Sequence, residues 1–175
     1  NLSGAVAATE HLIGLGHRRI GFLAGRSDLE SARLREQGYR RALDAADVPF
    51  DPELVRVGGY EPDAARDAAR DLLTLDARPT AIFAANDTSA IETVAVARSL
   101  GLGVPDDVSV IGFDNVPESV LCEPPLTTIE QSIQQMGREA VRMLIGLIED
   151  PSSLPEHVIL PTRLVVRASC GPPPA

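Results

Sequence analysis

The chain has 175 residues, enough for one domain with a buried core and a small remainder, and its 44% hydrophobic and 23% charged residues are those of an ordinary globular protein. Sixteen Lys and Arg against 25 Asp and Glu give a net charge of -9, which phosphate backbones repel, and four Phe, two Tyr and no Trp offer no stacking platform for single-stranded nucleic acid. No apolar run reaches the roughly 18 residues of a membrane helix, and Cys122 and Cys170 make neither a disulfide framework nor a zinc cluster, so reduced thiols in a cytoplasmic protein are expected.

In chain order, residues 1–15 contain Glu10 and His11 and lack a positive leading segment and a small-residue cleavage site, so they do not read as a secretion signal. Residues 3–15 form a helix ending at Gly16, a natural left-handed cap. A chain that opens on Asn1 without Met is expected to be a piece of something longer. A strand at 20–24 is followed by a helix that buries Leu34, Ala42, Leu43 and Ala46, and then by a strand at 54–57. In the next helix Ala64, Ala65, Ala68, Ala69, Leu72 and Leu73 recur on one side, a small-residue face suited to a sheet. A strand at 81–85 leads to a helix with Ala90, Ile91, Val94 and Ala95 inward, and the clearest strand, 108–113, closes on Asp114-Asn115.

Strands alternating with helices are the rhythm of βαβ units, so the fold class is α/β: a doubly wound parallel sheet in three α/β/α layers, Rossmann-like, with strand order 2-1-3-4. After Asp114 the rhythm breaks. Pro117, Pro124 and Pro125 punctuate a loop, residues 126–131 extend, and a helix over 132–149 places Met136, Ala140, Met143, Leu144 and Leu147 on one face. Extended pieces follow at 158–160 and 164–167, and residues 171–175 read as a frayed tail.

Ligands of open parallel sheets bind beyond the carboxyl ends of the strands. Those ends carry Gly25-Arg26-Ser27, Gly58-Gly59-Tyr60, Asn86-Asp87 and Asp114-Asn115, an inventory for a small polar ligand with Asn86 and Asp114 as hydrogen-bonding groups and Tyr60 as an apolar platform. A structural reading stands beside each: Asn86 or Asp87 as a helix N-cap, Asp114 as a turn holder. Arg35 either points into the crevice or is solvated, and periodicity alone favours solvation. Catalytic signals are poor. There is no GxGxxG, P-loop lysine, HExxH or GxSxG, and His11, His17 and His157 pair by motif with no nucleophile. No enzyme activity, metal or cofactor is expected.

Several stretches are similar to the effector-binding region of the lac-repressor (LacI/GalR) family of bacterial transcriptional regulators. They are Leu15-Gly16-His17-Arg18-Arg19-Ile20, Ser31-Ala32-Arg33-Leu34-Arg35, Pro79-Thr80-Ala81-Ile82-Phe83, Ala85-Asn86-Asp87, Pro124-Pro125-Leu126-Thr127-Thr128-Ile129, and above all residues 104–114, from Val104-Pro105 to Phe113-Asp114. The resemblance runs over essentially the whole chain. It implies a lobe of a periplasmic-binding-protein type I fold, and effector contacts at Arg35, Asn86 and Asp114, with Tyr60 as a common aromatic contact and Ser31 as a weaker one. The effector is implied to be a sugar or nucleoside-like molecule. Operator DNA is reached only through a helix-turn-helix head, and the protein is a homodimer with no membrane partner. The implied organisation is a carboxyl-terminal lobe over 1–127, then a crossover and helix over 128–155 that normally belong to the other lobe. A return segment over 156–170 and a tail over 171–175 complete it. The head and most of the amino-terminal lobe lie outside this chain in that scheme, and the stripe on the helix over 132–149 is expected to dock on a second chain through linkers near Gln131 and Pro151. Two rivals remain: a transporter's sugar-binding protein, and a small doubly wound enzyme using Asp87 or Asp114 as acid or base.

Overall fold

The computed structural model describes residues 1–150, 154 and 157–174. The first part of the chain alternates helix and strand: α1 (Leu2–Gly14), β1 (Ile20–Ala24), α2 (Glu30–Ala45), β2 (Val55–Val57), α3 (Pro62–Leu73), β3 (Ala81–Ala84), α4 (Asp87–Ser99) and β4 (Ser109–Ile111). The strands pair in parallel in the order β2-β1-β3-β4, the expected one. α1 and α2 cover one face and α3 and α4 the other, and strand residues alternate between the two cores. Ile20, Phe22, Phe83 and Ile111 join the first, Leu23, Ile82, Val108 and Val110 the second. Strands buried on both faces need no polar alternation, which is why β1, β3 and β4 read as short apolar runs.

Boundaries shift slightly from expectation. α1 stops at Gly14, and Gly16 at φ +105 completes a Schellman end in which Gly16 N donates to Ile13 O and His17 N to Leu12 O. α2 buries Ala32, Arg35, Gly38, Tyr39, Ala42 and Leu43, so its inner stripe is rotated from the expected one and Ala46 is exposed. Ala64 on α3 and Ala95 on α4 are likewise exposed.

Beyond β4 come a short helix α5 (Glu118–Leu121), β5 (Thr128–Glu130), the helix α6 (Ile133–Glu149) and β6 (Arg163–Val165), and β5 pairs antiparallel with β6. No residue of α6 is buried. Its apolar residues form more than the single expected stripe. Met136, Ala140 and Met143 border a cavity shared with Val158, Ile159 and Leu160, whereas Val141, Ile145 and Ile148 face elsewhere and are exposed. Residues 158–160 form no strand, and β6 lies one residue before the expected piece. The expected linker at Pro151 falls outside the described residues, as do Glu156 and Ala175.

The frayed tail is not found over residues 171–174. Gly171 N donates to Ser109 Oγ (3.0 Å) and Gly171 O accepts from His17 Nε2 (2.9 Å), while Pro173 lies against Gly16. Among the described residues no helix is long and apolar enough to cross a membrane, and no cluster of His, Cys, Asp and Glu could hold a metal ion.

Candidate functional site

The carboxyl ends of β1, β2, β3 and β4 converge on Arg35. The solvated arginine that periodicity alone favours is not found: Arg35 is 5% exposed. It sits three residues after Ala32 and four before Tyr39, inside the buried stripe of α2, so the helix carries it into the lobe. Each of its three guanidinium nitrogens has a partner. Nε donates to Asn1 Oδ1 (2.9 Å), Nη1 donates to Ala85 O, Nη2 pairs with Asp114 Oδ1 (3.2 Å), and Cζ stands 3.9 Å from the centroid of the Phe113 ring. A buried cation is tolerable only with such partners.

Asp114 follows β4 with φ 119, and Asn115 after it has φ 58, both in the region that disfavours side chains. Burial pushes the Asp114 carboxyl up from its ordinary pKa, opposed by the Arg35 cation and the Gln131 amide. Arg35 and Gln131 both reach Oδ1; among the described residues Oδ2 accepts no hydrogen bond. Asp114 thus presents a free acceptor at the sheet edge.

Tyr60 is also in the left-handed region, at φ 69, directly after Gly59 at φ 61. The turn lays its ring across the end of β1, where an added Cβ on Gly25 would stand 2.1 Å from Tyr60 Cζ; only glycine leaves that space. The ring centroid is 5.9 Å from Arg35 Cζ. Tyr60 Oη is buried without a hydrogen-bond partner, and burial raises its pKa, with the Arg35 charge and then the nearby Ser31 hydroxyl acting against the rise. Ser31 lies beside the ring without making a well-formed bond to it.

Asn86 is the N-cap of α4: its Oδ1 accepts from Ser89 N (3.0 Å). The capping reading is therefore correct, and it fixes the side chain so that Nδ2, which donates to nothing among the described residues, remains a donor. The structure brings Arg35, Asp114, Tyr60 and Ser31 together, with Asn86 one residue past the Ala85 carbonyl that Arg35 holds. A cavity of about 530 Å³ opens beside them between residues 114–117 and the start of α6, and of the five only Asp114 lines it.

Two contributors have no signal in the sequence. Arg167 donates to Asn115 Oδ1 (2.6 Å) and Leu126 O (2.6 Å), and Ser169 Oγ donates to Val110 O (2.5 Å) while accepting from Thr127 N (2.8 Å). Both come from the return segment, 41 residues or more along the chain from what they hold, and no local pattern marks them. Gln131, which holds Asp114, is likewise unmarked by its neighbours, and Asp87 stands behind the rim rather than acting as the helix cap.

A family model described as a periplasmic binding protein-like domain matches residues 9–170. The chain is 39% identical over 169 residues to the HTH-type transcriptional regulator CelR of Thermobifida fusca, covering 97% of this chain and 50% of that protein. The solved complex of the transcriptional regulator CelR with cellobiose superposes with a TM-score of 0.91 at 39% identity, over 96% of this chain and 51% of that one. A dimeric Lac repressor lacking 11 carboxyl-terminal residues gives a TM-score of 0.89 at 32% identity, over 98% of this chain and 62% of that one. The chain spans about half the length of the curated relatives it matches.

Proposed function

This chain belongs to the periplasmic binding protein-like domain family, and from that premise we propose that it is the effector-recognising part of a LacI-type bacterial transcriptional regulator. The effector is a sugar or a related small polar molecule. The observation that carries the reading is the buried Arg35–Asp114 pair at the strand ends, with Asp114 Oδ2 and Asn86 Nδ2 unengaged beside the Tyr60 ring. Sugar hydroxyls both donate and accept, so a carboxylate oxygen and an amide N–H at one rim suit them, and the apolar face of a pyranose suits an aromatic ring. The relative CelR, solved with cellobiose, supports a sugar.

In this reading operator DNA is contacted by a head outside these residues, because a charge of -9 does not attract phosphates. The protein acts as a homodimer in the cytoplasm, a proposal supported by the dimeric Lac repressor among its structural neighbours. A transporter's sugar-binding protein shares the fold, but the likeness to a named transcriptional regulator over 97% of the chain favours regulation.

Calorimetric titration of the intact protein with cellobiose, a panel of mono- and disaccharides, and nucleosides tests the reading. A saccharide is expected to bind, and Arg35→Ala to weaken it by about 1.5 to 3 kcal/mol, the range for losing a charge-assisted hydrogen bond. Equal affinity in the variant removes Arg35 from the site, and saturable binding of a nucleoside alone replaces the sugar.

A further inference from the structure

Asp87 is the first residue of α4, and it is fully buried. Its backbone N–H donates to Phe113 O (2.8 Å), its Oδ2 accepts from Val116 N (2.8 Å), and its Oδ1 accepts from Thr128 Oγ1 (2.5 Å). These bonds bracket Asp114. One holds the residue before it, one the residue two places after, and the third reaches β5, which runs alongside and accepts Asp114 N through Ile129 O (2.7 Å). The bracketed turn carries the two left-handed residues Asp114 and Asn115, a conformation that side-chain-bearing residues keep only where the surroundings enforce it.

Gly112 supplies an independent observation. An added Cβ there would stand 2.2 Å from Asp87 Oδ1, so the carboxylate reaches β5 only because the end of β4 has no side chain at that point. Helix, turn and crossover strand are thus fastened to one carboxylate.

We propose that Asp87 is the positioning residue of the effector site: its carboxylate holds the 114–116 turn in the conformation that presents Asp114 to the ligand, and through Thr128 it ties that turn to β5. This rests on the reading of Asp114 as an effector contact. Asp87 itself is fully buried and does not line the cavity beside the rim. No cation pairs with it among the described residues. Asp114, of like charge, and the Cys122 thiol are among the ionisable groups that feel its charge, and burial pushes its pKa up to about 6 against the pull of Thr128 and the Val116 and Asn115 amides. An asparagine of the same shape meets Val116 N with its oxygen and turns its nitrogen to the Thr128 hydroxyl, so the grip is one of geometry and survives loss of the charge.

Hydrogen–deuterium exchange and calorimetry with cellobiose as the probe, both on the intact protein, separate the outcomes. Asp87→Ala is expected to speed exchange at the Val116 amide roughly tenfold or more while the amides of β1 and β3 keep their protection, and to weaken cellobiose by a similar factor. Asp87→Asn is expected to restore both. Should Asp87→Ala fail to fold, Thr128→Val removes one partner of Oδ1 alone and is expected to give the same local effect in smaller measure. Unchanged exchange at Val116 overturns the proposal, as does a rise spread evenly over the sheet, the mark of a general structural role. A parent protein that does not bind cellobiose counts against the sugar reading only, because exchange at Val116 still decides whether Asp87 holds the turn.

Discussion

At the amino ends of the strands, His17 is fully buried and both ring nitrogens are occupied: Nδ1 by Thr80 Oγ1 (2.9 Å), Nε2 by Ser109 Oγ (3.1 Å) and Gly171 O (2.9 Å). At the carboxyl ends, Tyr60 Oη is buried with no partner, and Tyr60, Asp114 and Asn115 account for three of the five non-glycine residues with positive φ among those described. The two ends hold comparable polar groups in comparable burial. What separates them is completion. The His17 ring closes a network that fastens the carboxyl-terminal segment beneath the sheet, although His11 Nε2 near it is buried without a partner, whereas the other end keeps backbone strain together with several uncommitted hydrogen-bonding atoms, as a place that must still meet a ligand does.

The comparison is broken most directly at its closed end. His17→Ala removes a buried ring and its hydrogen bonds to Thr80 Oγ1, Ser109 Oγ and Gly171 O, leaving Ser109 and Gly171 bonded to each other, and about 3 to 5 kcal/mol of unfolding free energy is expected to be lost in urea denaturation. A loss under about 1 kcal/mol would show that the network remakes itself and that its closure is not what matters.

Asp87 sharpens the contrast through pH. Its folded pKa of about 6 lies above the ordinary 3.8, so the folded state holds the proton more tightly than the unfolded state. Its contribution to stability is therefore greatest below about pH 4, falls as pH rises, and levels off above about pH 6. An asparagine in its place does not titrate, so the stability of Asp87→Asn relative to the parent is expected to swing in the variant's favour by up to about 3 kcal/mol across that window. Thermal melts at pH 4, 5, 6 and 7 measure it, and parallel curves would refute the buried-carboxylate account.

The smallest effect compares two tyrosines. Tyr39 Oη donates to Ile20 O (2.8 Å), and burial pushes its pKa well above the usual range. Tyr39→Phe is expected to cost about 1 kcal/mol, and Tyr60→Phe to cost nothing or to stabilise slightly, because no bond is lost there. Equal costs by chemical denaturation would mean that Tyr60 Oη has a partner in solution.

Much of this is legible in sequence. Short runs of β-branched residues at regular intervals give parallel strands buried on both faces, and right-handed crossovers leave the 2-1-3-4 order as the common arrangement. The rim is legible as chemistry, since Asn86 and Asp114 follow strands. Periodicity misplaces Arg35 because it sets the inner stripe of α2 by Leu34 rather than by Ala32 and Tyr39; the resemblance to the regulators implies an effector contact for it instead, and Arg35 is buried. The Asp87 carboxylate cannot be read as a clamp, because that role depends on the bare Cα of Gly112 and on Thr128, 41 residues away in the chain. Arg167 and Ser169 are hidden for the same reason: their partners are neighbours only after folding.

The antiparallel pairing of β5 with β6, Thr128 opposite Val165 and Glu130 opposite Arg163, brings the two ends of a long excursion side by side. To the sheet, whatever the chain does between Glu130 and Arg163 is a detour that starts and finishes at one doorway, bolted by the Glu130–Arg163 ion pair (2.6 Å). The entropy of closing such a detour grows only with the logarithm of its length, so its content is nearly decoupled from the register of the strands. For protein engineering, that doorway is the natural graft point: a sensor, a tag or a short hairpin turn can replace the detour beyond Gln131, the residue that holds Asp114, so that the strand ends keep their place while the α6 wall of the neighbouring cavity is lost.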